Sequence, residues 1–138
     1  MEVVYYKAPG GNFGDDLNEV LWRHVLPPEC FDVPDTLLLG VGTIFDEGRL
    51  PESRVSGKRV FVLGSGAGYG PLPRTWPNPA WHVAAVRGPF TAELIGQKSA
   101  AATDGAIFLA HARDLLPERR AATGAIYIPH HGSLDRPD

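Results

Sequence analysis

Apolar positions along the chain fall into short continuous runs separated by polar, glycine-bearing turns. Val3-Val4-Tyr5-Tyr6, Thr36 to Val41, Arg59 to Leu63, Trp81 to Val86, Ala100 to Thr103 and Ala125-Ile126-Tyr127-Ile128 read as strands. The run from Thr36 to Val41 is continuous rather than alternating, which suits a strand covered on both faces of a parallel sheet. Between strands the period changes. Leu17, Val20, Leu21, His24 and Val25 fall at i, i+3, i+4, i+7 and i+8, one face of a helix that Pro27-Pro28 stops. Pro89 opens a short helix over Phe90 to Ile95 with Gly96 as its stop, and Ala106 to Ala110 leads into another. Residues 46–57 read as polar and irregular, and residues 71–80, with Pro71, Pro73, Pro77 and Pro79, as a surface loop. Strands alternating with helices predict an α/β fold with a parallel sheet.

Nearly every predicted strand ends in a polar turn: Gly10 to Asp16, Gly42-Thr43, Gly64 to Gly70, Arg87-Gly88, Asp104-Gly105 and His130-His131. In a parallel sheet these turns share one edge, where open α/β sheets place ligands. In the first turn Asp15 is the expected N-cap and Asp16 a second carboxylate at the positive end of the helix. No lysine follows, and the two acids repel an anion, so a phosphate cradle is disfavoured. Asn12, Asp15, Asp16 and Asn18 suit the hydroxyls of a neutral polyol; the alternative is a tight turn with a capped helix.

Gly64 to Gly70 fails the dinucleotide fingerprint, since the third glycine is replaced by Tyr69 or Pro71 according to register, and prolines follow where a helix should. It is either a ligand-covering loop, with Ser65 as its binding hydroxyl, or a structural turn. Arg87 can clamp a phosphate or carboxylate, or pair with Asp104 or Asp15 to tie two loops together. Asp104 can bind a hydroxyl or cap the following helix. His130 can contact substrate or act as a general acid, or be structural. Adjacent His130 and His131 on an extended segment point to opposite sides, so no metal site is expected. There is no P-loop, nucleophile elbow or Cys–His pair at a familiar spacing.

Composition narrows the classes further. The 138 residues suit one domain, expected over 1–134 with 135–138 as a tail. A net charge of −3, with no basic run longer than Arg119-Arg120, speaks against nucleic acid as a partner. No stretch approaches the ~18 apolar residues of a membrane span, and the first residues lack a signal-peptide pattern. The lone Cys30 excludes an internal disulfide and fits a reducing compartment, so a cytoplasmic location is expected.

Six stretches, taken in order, resemble the polysaccharide pyruvyl transferase family: Gly10-Gly11-Asn12-Phe13-Gly14-Asp15-Asp16-Leu17-Asn18, Leu39-Gly40-Val41-Gly42-Thr43-Ile44, Val62-Leu63-Gly64-Ser65-Gly66-Ala67-Gly68, Val86-Arg87-Gly88-Pro89-Phe90-Thr91, Thr103-Asp104-Gly105-Ala106 and Ile128-Pro129-His130-His131. The resemblance implies an enzyme that moves pyruvate from phosphoenolpyruvate, its co-substrate, onto two hydroxyls of a sugar in a surface polysaccharide, as a ketal. No separate cofactor is implied. The family fold is GT-B-like, with two Rossmann-like domains facing a cleft, and this chain corresponds to the first. The family's donor-side half, with its His-Gly segment and arginines, has no counterpart in residues 1–138. The resemblance therefore implies a sugar or lipid-linked glycan as acceptor, and a further chain or domain to supply the missing half. No catalytic residue is assigned. The other readings are a non-catalytic sugar or nucleotide-sugar binding module and a degenerate fragment.

Overall fold

Four of the predicted strands pair side by side in a single sheet. The structure is a computed structural model that describes residues 1–116, 118 and 123–127. Strands β1 (Glu2–Val4), β2 (Thr36–Leu39), β3 (Arg59–Ser65) and β4 (Trp81–Val86) lie in the order β1-β2-β3-β4. Every neighbouring pair is parallel. Side chains alternate between two apolar layers. Val4, Leu37, Leu39, Val60 and Val62 meet Phe45, Leu50, Val55 and Trp81 on one face. Val3, Leu38, Phe61 and Leu63 meet Leu17, Leu21, Trp22 and Phe108 on the other. All four residues of β2 are buried, as its continuous apolar character requires.

The connections cover both faces. The chain between β1 and β2 packs on the Trp22 face, whereas Phe45 to Val55 and the turn holding Leu72 and Trp76 pack on the Phe45 face. The strands advance in one direction, so the first crossover has the opposite hand to the next two. Crossovers of mixed hand are exceptional among parallel strands.

The segment after β1 departs from the expected single helix. It is divided into α1 (Phe13–Asp16), a 3-10 turn (Leu17–Glu19) and α2 (Leu21–Val25). The tighter turn rotates the buried face: Val20 is 44% exposed, and Trp22 is fully buried in its place. The cause is Asn18, whose amide turns inward. Its Nδ2 donates to Val41 O and Asp15 O, both at 2.9 Å, while its Oδ1 accepts from Val41 N at 2.9 Å and Trp22 Nε1 at 2.8 Å.

Other boundaries shift as well. The N-cap of α1 is Asn12, not Asp15. β1 ends at Val4, before Tyr5 and Tyr6, and β3 runs on through Gly64 to Ser65. Residues 46–57 contain a short helix, α3 (Glu52–Val55), and contribute Leu50 and Val55 to the core. α4 (Pro89–Leu94) matches its prediction. The weak strand at 100–103 reduces to one bridge between Val86 and Ala101, and residues 105–110 form a 3-10 turn. Ala125, Ile126 and Tyr127 are exposed and lie in no strand; Ile128 and the expected tail lie outside the described residues.

Asn18→Ala would leave the Val41 N–H, the Val41 C=O and the Trp22 indole N–H without a partner inside the core. We expect a loss of about 3 kcal/mol or more of unfolding free energy, read by urea denaturation. A loss under about 1 kcal/mol would show that the amide is dispensable.

Candidate functional site

The turns at the carboxyl ends of the four strands meet, and local chemistry fixes each. In the first, the Asn12 side chain accepts from Gly14 N at 3.2 Å, and Asp16 Oδ2 accepts from Asn12 N at 2.9 Å, a reciprocal cap. Asn12 Nδ2 donates to Asp15 Oδ2 at 2.8 Å. The other carboxylate oxygen of Asp15 lies over Gly42, where a Cβ would come within 2.8 Å of it. Gly42 also has φ +109°, so both backbone and space require glycine there.

β2 and β3 continue their pairing into these turns. Gly66 N donates to Gly42 O at 2.9 Å, and the buried Ser65 hydroxyl donates to the same oxygen at 3.1 Å. Arg87 leaves β4 beside them. Its Nη1 donates to Thr43 Oγ1 at 2.7 Å. Its Nε lies 2.7 Å from Asp104 Oδ2 but off the hydrogen-bond axis, so this contact is an ion pair without an aligned hydrogen bond. Asp104 Oδ1 accepts from Ala106 N at 2.9 Å and so caps the 3-10 turn at 105–110. Gly64 admits that turn: a Cβ on it would sit 2.4 Å from Gly105 N.

Asp15 is the electrostatic centre. Partial burial pushes its carboxyl above the ordinary carboxylate range, and Asp16 adds to this. Arg49 and Arg87, together with the Asn12 hydrogen bond, pull in the other direction without cancelling it. Arg49 is itself paired with the buried Asp46 at 2.9 Å and lies over the Tyr6 ring. An open groove of about 840 Å³ runs from Arg49 along β1, lined by Val4, Tyr6, Ile44 and Arg54 among others.

Six of the residues singled out in the sequence therefore share one sheet edge: Asn12, Asp15, Asp16, Ser65, Arg87 and Asp104. Asn18 and Ser65 are buried and bonded within the chain, so each holds the edge together from beneath. Both structural alternatives for Asp104, cap and ion pair with Arg87, are realised. His130 lies outside the described residues. Thr43 and Arg49 were missed as site residues. The available signal for Arg49 was its i, i+3 spacing from Asp46, between the apolar Phe45 and Leu50. Among the described residues, no three His, Cys, Asp or Glu side chains gather to hold a metal ion, and no helix is long and apolar enough to cross a membrane.

No family model and no solved structure matches the chain. Over 96 residues, 70% of its length, it is 43% identical to the succinoglycan biosynthesis protein ExoV of Rhizobium meliloti (strain 1021). That stretch covers 29% of ExoV, so the chain spans less than a third of this relative.

Because the folded protein raises the Asp15 pKa, ionising Asp15 costs stability, in full at pH values above both its folded and its unfolded pKa. Asp15→Asn is therefore expected to raise the thermal midpoint near pH 7. The gain should vanish near about pH 3, where the wild-type carboxyl is itself neutral. A variant less stable than wild type near pH 7 would overturn the assignment.

Proposed function

We propose that this chain is the acceptor-side, N-terminal part of a polysaccharide pyruvyl transferase, a GT-B-like enzyme of the cytoplasm that forms a pyruvate ketal on a glycan. One observation supports it above the others: a fixed cation, Arg87, shares the sheet edge with the carboxylates and amide of the Asn12 to Asp16 turn. The resemblance to ExoV, a succinoglycan biosynthesis protein, points to the same class of pathway.

The chemistry divides between two walls of a cleft. Phosphoenolpyruvate gains a proton at its methylene carbon, two sugar oxygens bond to its central carbon, and inorganic phosphate leaves. The protons of the two hydroxyls balance the new methyl group and the departing phosphate. On the acceptor wall Asn12, Asp15 and Asp16 bind and orient the hydroxyls. Asp15, whose partial burial raises its pKa above the usual carboxylate value, is suited to take a hydroxyl proton as the carbon–oxygen bond forms. Arg87, held by Thr43 and Asp104, presents its remaining N–H groups to the donor carboxylate. Asp104 and Ser65 position these groups. The donor-side half, from another domain or chain, supplies the general acid and further cations; His130 is kept as a substrate contact.

Deleting the gene in its natural host should abolish the ketal methyl signal in the proton NMR spectrum of the surface polysaccharide. Wild-type complementation should restore it. Arg87→Ala, expressed at the wild-type level, should lower it at least about tenfold, as expected for loss of a charge-assisted contact. Unchanged ketal content in the deletion strain would refute the proposal.

A further inference from the structure

On the acceptor-side reading three exposed aromatic side chains in the turns after β1, β3 and β4 have no role. Phe13 is 75% exposed, Tyr69 76% and Phe90 87%, and none belongs to either core. Tyr69 and Phe90 each follow a strand end by four residues, and Phe13 lies in the longer turn after β1. Phe13 is the first residue of α1, directly after Asn12. Tyr69 lies in the turn after β3, beside Gly70, where an added Cβ would meet the Asp46 side chain at 3.6 Å. Phe90 lies in the first turn of α4, three residues after Arg87. The Ala67 N–H donates to Thr91 Oγ1 at 3.2 Å and ties the Tyr69 turn to that helix. From the end of β1 to the end of β4 is three strand spacings, roughly 14 Å, wider than one sugar ring.

We infer that Phe13, Tyr69 and Phe90 form a stacking rim for the acceptor, on which successive rings of an oligosaccharide lay their apolar faces while their hydroxyls meet Asn12, Asp15 and Asp16. This rests on the acceptor-side reading and adds specificity residues to it. The alternation of chemistry favours a sugar over a protein surface. The core of a protein interface is contiguous and depleted of charge. Here the turns that carry the rings also carry an amide, carboxylates and a guanidinium: Asn12, Asp15 and Asp16 flank Phe13 in the chain, and Arg87 precedes Phe90. A pyranose ring has the matching character: a face of polarised C–H bonds for the negative face of an aromatic ring, and an edge of hydroxyls for the polar groups between.

The test is calorimetry of the full 138-residue chain with repeat-unit oligosaccharides released from the unketalated polysaccharide of the deletion strain. Wild type is expected to bind. Phe13→Ala, Tyr69→Ala and Phe90→Ala should each weaken binding by about three- to tenfold. Phe90→Leu should weaken it as much as alanine, and Phe90→Trp should retain it, because stacking needs a ring rather than apolar bulk. Wild-type binding that all three alanine variants share would overturn the rim and leave the acceptor reading standing. Leucine variants that bind as wild type would mark a protein-docking face and also overturn the rim. No binding by wild type would overturn the acceptor reading itself, and the rim with it.

Discussion

The Asn18 side chain is the contact on which the geometry of the sheet edge depends. It satisfies the N–H and C=O of Val41, two residues beyond β2, and holds the Trp22 indole N–H and the Asp15 carbonyl. Only a short amide offers two donors and a doubly accepting oxygen in one plane. Aspartate would set a carboxylate against the Val41 and Asp15 carbonyls, and glutamine would add a methylene where there is no room. Breaking this clamp would strand polar groups in a layer that also buries Leu17, Leu21 and Trp22. The clamp brings the first turn up against β2, so that the Asp15 carboxylate comes to rest over Gly42. Removing Asn18 would therefore loosen the Asp15 position before it touched any ligand.

The four strands of the sheet were legible because each is a short apolar run bounded by turn residues, and β2 announced its two-sided burial by lacking alternation; the same kind of run at 100–103 makes a single bridge, and 125–127 lie in no strand. The first helix was misread for a local reason. A period count assumes 3.6 residues per turn throughout, and the inward turn of Asn18 inserts a 3-10 segment that moves Trp22 into the core and Val20 out of it. The same buried amide looked like a sugar ligand because polarity in a glycine-rich turn gives no sign of direction. The 105–110 segment is too short for its pattern to separate 3-10 from α geometry. Nothing in the apolar pattern says over which face a crossover runs, so the opposite hand of the first one was not accessible from the residues.

Convergence of the turns followed from topology alone, and the sheet order realises it. What the chain could not reveal in one dimension was the pairing. Arg87 had two acidic candidates and takes Asp104 as its contact, while Asp15 feels Arg87 only through the field. Thr43 is the third party: its hydroxyl fixes the guanidinium plane, and its backbone bridge to Gly66 fixes the hydroxyl in turn. Such a network depends on four strand ends lying side by side, which no local window contains.

The charge balance of the edge decides which partner it suits. Four carboxylates, Asp15, Asp16, Asp46 and Asp104, face two guanidiniums, Arg49 and Arg87, and each guanidinium is already paired with one of the acids. The surplus is negative. A multiply charged phosphate brought to this surface meets Asp15 and Asp16 first and is repelled, while a neutral polyol meets only hydrogen-bonding groups. The raised pKa of Asp15 comes first from partial burial of its carboxyl, to which Asp16 adds, against the pull of Arg49 and Arg87. One paired arginine can orient a carboxylate at this edge, but it cannot neutralise a multiply charged phosphate. The imbalance makes this edge a surface for hydroxyls rather than for a multiply charged anion, which would need positive charge that the edge does not hold.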